Sequence, residues 1–234
     1  MLPVLPVLPG VAQTEGSDSL RQGLPGRRIS GGSRVPTEAC VLDQQPLIAL
    51  VPDDAIGLTG KAAPTLWFAL PAVSPSRSLE FGLFTQDDQL IYQTTLPVSA
   101  AGVRSIDLTQ LEGAPALTVD ENYRWYLSIV CNPSNRSEDI WVDGWVRRVD
   151  LPSAMAADLA SASPLDQPHL YLQAGLWHEA ITELATLVQR YPESAALEQQ
   201  WQALLSSIDL DQAVDAPVLS PSTRLRSRKL AVSP

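Results

Sequence analysis

The stretch Gly26-Arg27-Arg28-Ile29-Ser30-Gly31-Gly32-Ser33-Arg34 holds three glycines and three arginines in nine residues. Glycine-exposed backbone N–H groups, with Arg27, Arg28 and Arg34 closing over them, are the chemistry of carboxylate or phosphate capture. This is not a phosphate loop, because GxxxxGK[ST] is absent and no strand-like run precedes it. Two other uses stay open for the same residues. The strap can be clamped on the folded body as an extra edge segment, its arginines forking onto acidic side chains. It can also be an unstructured linker.

Other chemistry-bearing residues are sparse. His178 sits beside Glu179, but no HExxH pattern follows, and a surface-helix histidine is expected. His169 follows Pro168 and belongs near a helix start. Neither histidine has neighbours resembling a zinc set, and no GxSxG elbow is present. The acidic pairs Asp53-Asp54, Asp87-Asp88, Asp120-Glu121 and Glu138-Asp139 fall in turns and read as solvated loop tips. A calcium site between loops, or a carboxylate pair for glycoside hydrolysis, would draw on those acids. Trp141 and Trp145 are four apart on a strand-like run, so both face one side with Asp143 between them. A tryptophan pair can stack on a sugar or anchor a partner, but core packing is the first expectation. The residues therefore point away from an enzyme and require no cofactor or metal.

The bulk properties agree. A formal charge of −10 over 234 residues disfavours nucleic acid, whose phosphates need a basic face. Arginine dominates the cations, since only Lys61 and Lys229 are lysines. The basic tail with Arg224, Arg226, Arg228 and Lys229 makes the remaining body more acidic than the total. The first twelve residues, MLPVLPVLPGVA, are apolar but shorter than the roughly 20 residues a membrane span needs. With small residues at Gly10-Val11-Ala12 they read as a signal-peptide remnant whose start was set too late, or as a polyproline-like arm. Cys40 and Cys131 can form a bridge suited to an exported protein, or remain as two buried thiols.

The elements that must position these residues follow from hydrophobic period. Seven short apolar runs, at 47–51, 65–70, 79–84, 90–96, 103–108, 123–131 and 140–149, are separated by turn signals. In the third run Leu79, Phe81 and Leu83 alternate with other residues, and in the sixth Tyr123, Trp125, Leu127 and Ile129 share a face. With no helices interleaved, they predict an all-β antiparallel sandwich of about seven strands, immunoglobulin- or fibronectin-like. Leu117, six residues before Tyr123, matches the tyrosine corner of such sandwiches. After Asp150 the period becomes helical. Trp177, Ala180, Ile181, Leu184, Leu187 and Val188 form one stripe, and Ala196, Leu197, Trp201, Leu204 and Leu205 another. The stretch from Tyr171 to Pro192 is similar to the second helix of a tetratricopeptide repeat, with Gly175, Ala180 and Pro192 in matching places. One such unit cannot stand alone, so its stripe must be buried on the sandwich or on a partner.

In order, PGRRISGGSR, Cys40, LIALVP, PTLWFALP, IYQTTLPV, YRWYLSIVCNPSNRS, WVDGWVRRV and AGLWHEAITELATL resemble a cyanobacterial domain-of-unknown-function family, number nine-two-eight in its series. The similarity covers about residues 24–210. It implies an exported protein, a Cys40–Cys131 pairing and work in the cell envelope, and it carries no catalytic residues. This chain departs from the family pattern where GSRVPTEAC lacks a glycine after the arginine. The expected organisation is a signal remnant (1–12), a Gly/Arg-rich segment (13–39), a sandwich (40–150), a helical region (151–210) and a disordered basic tail (211–234). The expected role is a non-catalytic binding or assembly module of the periplasm or cell envelope, without a membrane span, meeting a protein or peptide partner. Its binding residues would be Arg27, Arg28, Arg34, Trp141 and Trp145. The alternative is an envelope hydrolase or carbohydrate-binding domain using loop carboxylates and strand tryptophans.

Overall fold

The computed structural model describes residues 26–30, 40–52, 56–74, 77–97, 100–151, 153–219 and 228–229. The expectations for the leader, for Arg34, for Asp53-Asp54 and for most of the basic tail lie outside these residues.

Alternation builds the larger sheet. On β4 (Ser78–Thr85) Leu79, Phe81 and Leu83 turn inward, and on β5 (Leu90–Pro97) Tyr92, Thr94 and Leu96 do so. On β7 (Asn122–Val130) the inward set is Tyr123, Trp125, Leu127 and Ile129; on β8 (Ile140–Arg148) it is Ile140, Val142 and Val146. Register aligns them, with Phe81 opposite Leu127 and Leu127 opposite Val142. Two short strands, β2 (Gly57–Thr59) and β9 (Arg228–Lys229), complete the order β2-β8-β7-β4-β5-β9. The smaller sheet has the order β1-β3-β6, from β1 (Ile48–Ala49), β3 (Thr65–Leu70) and β6 (Gly102–Asp107). Phe68 of β3 meets Trp125 of β7 edge-on, centroids 5.4 Å apart, so the core lies between the sheets. Each fully buried large aliphatic or phenyl side chain there contributes about 1.5–3 kcal/mol.

The seven apolar runs all coincide with strands, but the architecture is not wholly antiparallel. β2 runs parallel to β8, pairing Gly57 with Val146 and Thr59 with Arg148. Three residues starting at a glycine show no alternation, which is why this strand is not legible in the sequence.

Four helices follow: α1 (Ser153–Ser161), α2 (Gln167–Gln173), α3 (Trp177–Arg190) and α4 (Ala195–Ser206). Gly175, at φ 74°, turns the chain between α2 and α3. The Ser194 side chain caps α4 at the Leu197 N–H. The molecule is thus mostly β-sheet with a helical layer at its C-terminal end. That layer covers the outer side of the smaller sheet, where Trp67 Nε1 donates to Thr182 Oγ1 of α3 at 3.0 Å. Among the described residues no helix is long and apolar enough to cross a membrane.

The chain does not leave the body at 210. A 3-10 turn at Asp211–Ala213 follows, Val103 N–H donates to Pro217 O at 2.8 Å, and Leu219 N–H donates to Val103 O at 3.0 Å. Residues 211–219, which composition places in a disordered tail, are instead paired, because Leu210 and Ala213 are fully buried and tie them down. Farther on, Lys229 and Arg228 pair with Thr94 and Thr95 at the β5 edge.

Candidate functional site

Cys40 and Cys131 are bonded, with Cα atoms 5.4 Å apart at a sequence separation of 91. The bridge fixes the end of β7 and the start of the loop to β8. The acidic end of that loop is not a solvated tip. Asp139 accepts from Cys131 N–H at 3.2 Å and from the Arg136 guanidinium, and its side chain is 6% exposed.

Arg136 reaches from this loop onto the outer face of the larger sheet, where Nη2 donates to Glu80 Oε1 at 2.9 Å. Tyr126 Oη also donates to Glu80 Oε1 at 2.9 Å and accepts from Gln93 Nε2 at 2.9 Å. The tyrosine ring lies over Gly82 of β4, where a Cβ would come within 2.1 Å of it. Burial pushes the Glu80 carboxyl up, but hydrogen bonds from Arg136 and Tyr126 outweigh it and hold the group below the ordinary carboxylate range. Burial, then the bond to Glu80, raises the Tyr126 phenol. Bonds to Glu80 and Asp139 keep Arg136 firmly charged. The result is a fixed array of ionised and hydroxyl groups on a sheet surface.

Beside this array stand the tryptophans. Asp143 opposes Tyr126, Trp141 opposes Ser128, and Trp145 opposes Arg124. Core packing is not their place. Ile140, Val142 and Val146 take the inner side of β8, leaving Trp141, Asp143 and Trp145 on the outer one, Trp141 at 40% exposure. β2 pairs only with residues 146–148, so the 141–145 edge of β8 is open to another segment. The strap fills it. Asp143 N–H donates to Arg27 O at 3.0 Å, and Arg27 N–H donates to Asp143 Oδ1 at 2.8 Å. The same strap pairs with β1, Ala49 N–H donating to Arg28 O at 2.7 Å and Ser30 N–H to Leu47 O at 2.9 Å.

Residues 26–30 are therefore an edge clamp, held by backbone bonds to β8 and β1 and by the Arg27 N–H on the Asp143 carboxylate. Arg27 lies 4.4 Å over the Trp141 ring, a cation–π pair on the open face. Arg28 turns the other way and donates to Ile208 O beyond α4. The two arginines separate. Arg124 similarly lies 4.9 Å over Phe84 and pairs with Asp88 at 2.9 Å.

The Trp177-His178-Glu179 turn corrects another expectation. His178 is not a surface residue but 2% exposed, packed where Gly57 leaves room; a Cβ at 57 would come within 2.3 Å of Nε2. Among the described residues neither ring nitrogen has a hydrogen-bond partner, and burial lowers the pKa to about 4. Glu179 Oε1 accepts from Thr59 Oγ1 at 2.6 Å and from the N–H groups of Gly60 and Lys61. Burial raises its carboxyl against those bonds. Trp177 Nε1 donates to Leu50 O at 2.8 Å. These three residues fasten α3 to β1 and β2. His169 is exposed on α2, bonded to Gln173. Among the described residues, no group of three or more His, Cys, Asp or Glu is placed to hold a metal ion.

No curated protein and no solved structure matches the chain. The family described as Domain of Unknown Function (DUF928) matches residues 29–218, from the strap clamp through the last bridge to β6. With most of its length covered, the chain belongs to the DUF928 family.

Proposed function

We propose that the chain is an exported, non-catalytic binding and assembly module of the cyanobacterial cell envelope. Its body is read as an immunoglobulin-like sandwich, with tetratricopeptide-like helices on one side and a partner-binding face on the other. Thr118 N–H donating to Tyr123 Oη at 3.1 Å supports the sandwich reading as a tyrosine corner. The single observation that carries the function is the Arg27–Trp141 pair. It is a stacked cation on a half-exposed indole, presented on a rigid sheet and positioned by Asp143. Tryptophan and arginine are the side chains that most often anchor a protein or peptide partner. The disulfide supports an oxidising compartment.

The hydrolase alternative fares worse. Glu80 and Asp139 both bond to Arg136, and a carboxyl held below its ordinary range is a poor general acid. Asp88 and Asp120, exposed acids on separate loops, pair with Arg124 and Arg147.

A photoreactive phenylalanine analogue at position 141, in the full chain expressed in its host, tests the reading. Irradiation should give an adduct with an envelope protein or peptide, while the same probe at the exposed Gln110 should not. A chain that stays in the cytosol with both cysteines open to alkylation, or a silent probe at 141, would refute it.

A further inference from the structure

The helical layer carries a second surface, on the opposite side of the sandwich from Trp141. A groove of about 960 Å³ runs between α1–α2 and α4. Leu184 of α3 and Leu204 of α4 line its depth, while Leu165 and Leu172 at its margin are 55% and 37% exposed. Large apolar side chains left in water around a groove mark an interaction site.

Charge decides what kind of partner fits. Asp158 and Asp166 line the groove, and among the described residues no lysine or arginine does. The surrounding layer is strongly one-sided: from Ser153 to Leu219 there are nine Asp or Glu and a single Arg, Arg190. A second copy of this chain, at −10, is electrostatically opposed. Of the chain's own basic residues near its end, Arg228 and Lys229 pair elsewhere, at the β5 edge. The backbone of the occupant is constrained as well. Helical walls offer no free N–H or C=O ladder, so an extended segment would leave its own backbone groups unpaired, whereas a helix satisfies them internally.

We propose that this groove docks a cationic amphipathic helix of a partner protein. Its apolar stripe would lie on Leu165, Leu172, Leu184 and Leu204, with Lys or Arg over Asp158 and Asp166. The proposal does not depend on the sheet face, and either surface can fail without the other.

The test uses the full chain and a labelled, amphipathic Leu/Lys helical peptide of about 18 residues, read by fluorescence anisotropy. Saturable binding is expected, at least about tenfold tighter than for the matching Leu/Glu peptide. Leu165→Ser/Leu172→Ser and Asp158→Lys/Asp166→Lys should each weaken it by about tenfold or more. Glu193→Lys/Asp215→Lys makes the same change in net charge away from the groove and should shift affinity by less than about threefold. Thermal melting verifies that each variant is folded, and the leucine pair, being exposed, reads the groove even where a charge reversal disturbs the fold. Equal losses from both charge-reversed pairs would overturn the proposal in favour of diffuse attraction. So would unchanged binding to the leucine variant, or no binding by the wild type up to about 1 mM peptide. Tighter capture of the chain's own residues 220–234, or self-association blocked by the leucine variant, would assign the groove to another occupant and overturn it too.

Discussion

Glu179 and Glu80 are both carboxylates nearly removed from water, at 3% and 7% exposure, yet the fold leaves them in opposite electrostatic states. Glu179 bonds to the Thr59 hydroxyl and to the Gly60 and Lys61 N–H groups, beside an imidazole that has no partner among the described residues, and burial raises its carboxyl. Glu80 finds the Arg136 guanidinium and the Tyr126 hydroxyl, and its carboxyl stays low. The first arrangement is a fastener, because it satisfies the strand end at Thr59 and offers nothing to solvent. The second keeps full charges on an open sheet face beside Trp141. Residue type and burial alone do not set a carboxylate's state; its counter-charge and donors do.

The largest expected effect strikes both regions together. Cys40→Ser/Cys131→Ser should lower the free energy of unfolding by about 2–5 kcal/mol, measured by denaturant titration, because the bridge closes a long loop. It should also loosen Asp139 and with it Arg136. A loss under about 1 kcal/mol would separate the bridge from the stability of either region.

The seam is then distinguished by acid. The His178 imidazole takes its proton at the ordinary 6.5 in the unfolded chain but only at about 4 in the fold. Between these values the unfolded state binds more protons, so stability falls as pH drops from about 6.5 to about 4. The full contribution is on the order of 3 kcal/mol. Glu179, raised in the fold, acts with the opposite sign, its contribution present at low pH and lost as pH rises. His178→Leu should therefore flatten the His178 acid limb while leaving stability near pH 7 equal or higher. An unchanged pH profile would contradict the buried imidazole. Glu179→Ala should cost about 1–3 kcal/mol at pH 7, because the Thr59 hydroxyl and the Gly60 N–H lose their acceptor, and the Lys61 N–H keeps only Thr59 Oγ1.

On the sheet face the effects are smaller and more local. Tyr126→Phe should cost about 1 kcal/mol and move the Glu80 titration upward in a carboxyl-resolved NMR experiment, since one of the bonds that lowers it is gone. An unmoved titration would mean that Tyr126 only packs over Gly82.

Much of this scaffold is legible in the sequence because period reports it directly. Alternation locates β4 and β7, an unbroken apolar run locates β3, and the stripe from Trp177 to Leu187 locates α3. The same signals fall silent on the site. Alternation puts Trp141 and Trp145 on one side of β8, but not which side. That is settled by Val142 and Val146 taking the core across from β3. The Glu80–Arg136 pair spans 56 residues and leaves no local mark. His178 looks exposed because a helix is expected to be polar on one face, yet the first turn of α3 is buried all round between β1 and β2. The room for its ring comes from Gly57, and that glycine sits in a strand too short to recognise.

The central contrast, a fastening seam against a presenting face, is tested most directly by Arg27→Ala/Trp141→Ala in the full chain, comparing partner capture from the envelope fraction with the melting temperature. Capture of the envelope partner should disappear while the melting temperature stays within about 2 °C of wild type, as expected for an exposed pair. A double variant that melts many degrees lower, or one that retains its partner undiminished, would show that Trp141 and Arg27 hold the fold together or do nothing, and the contrast would fail.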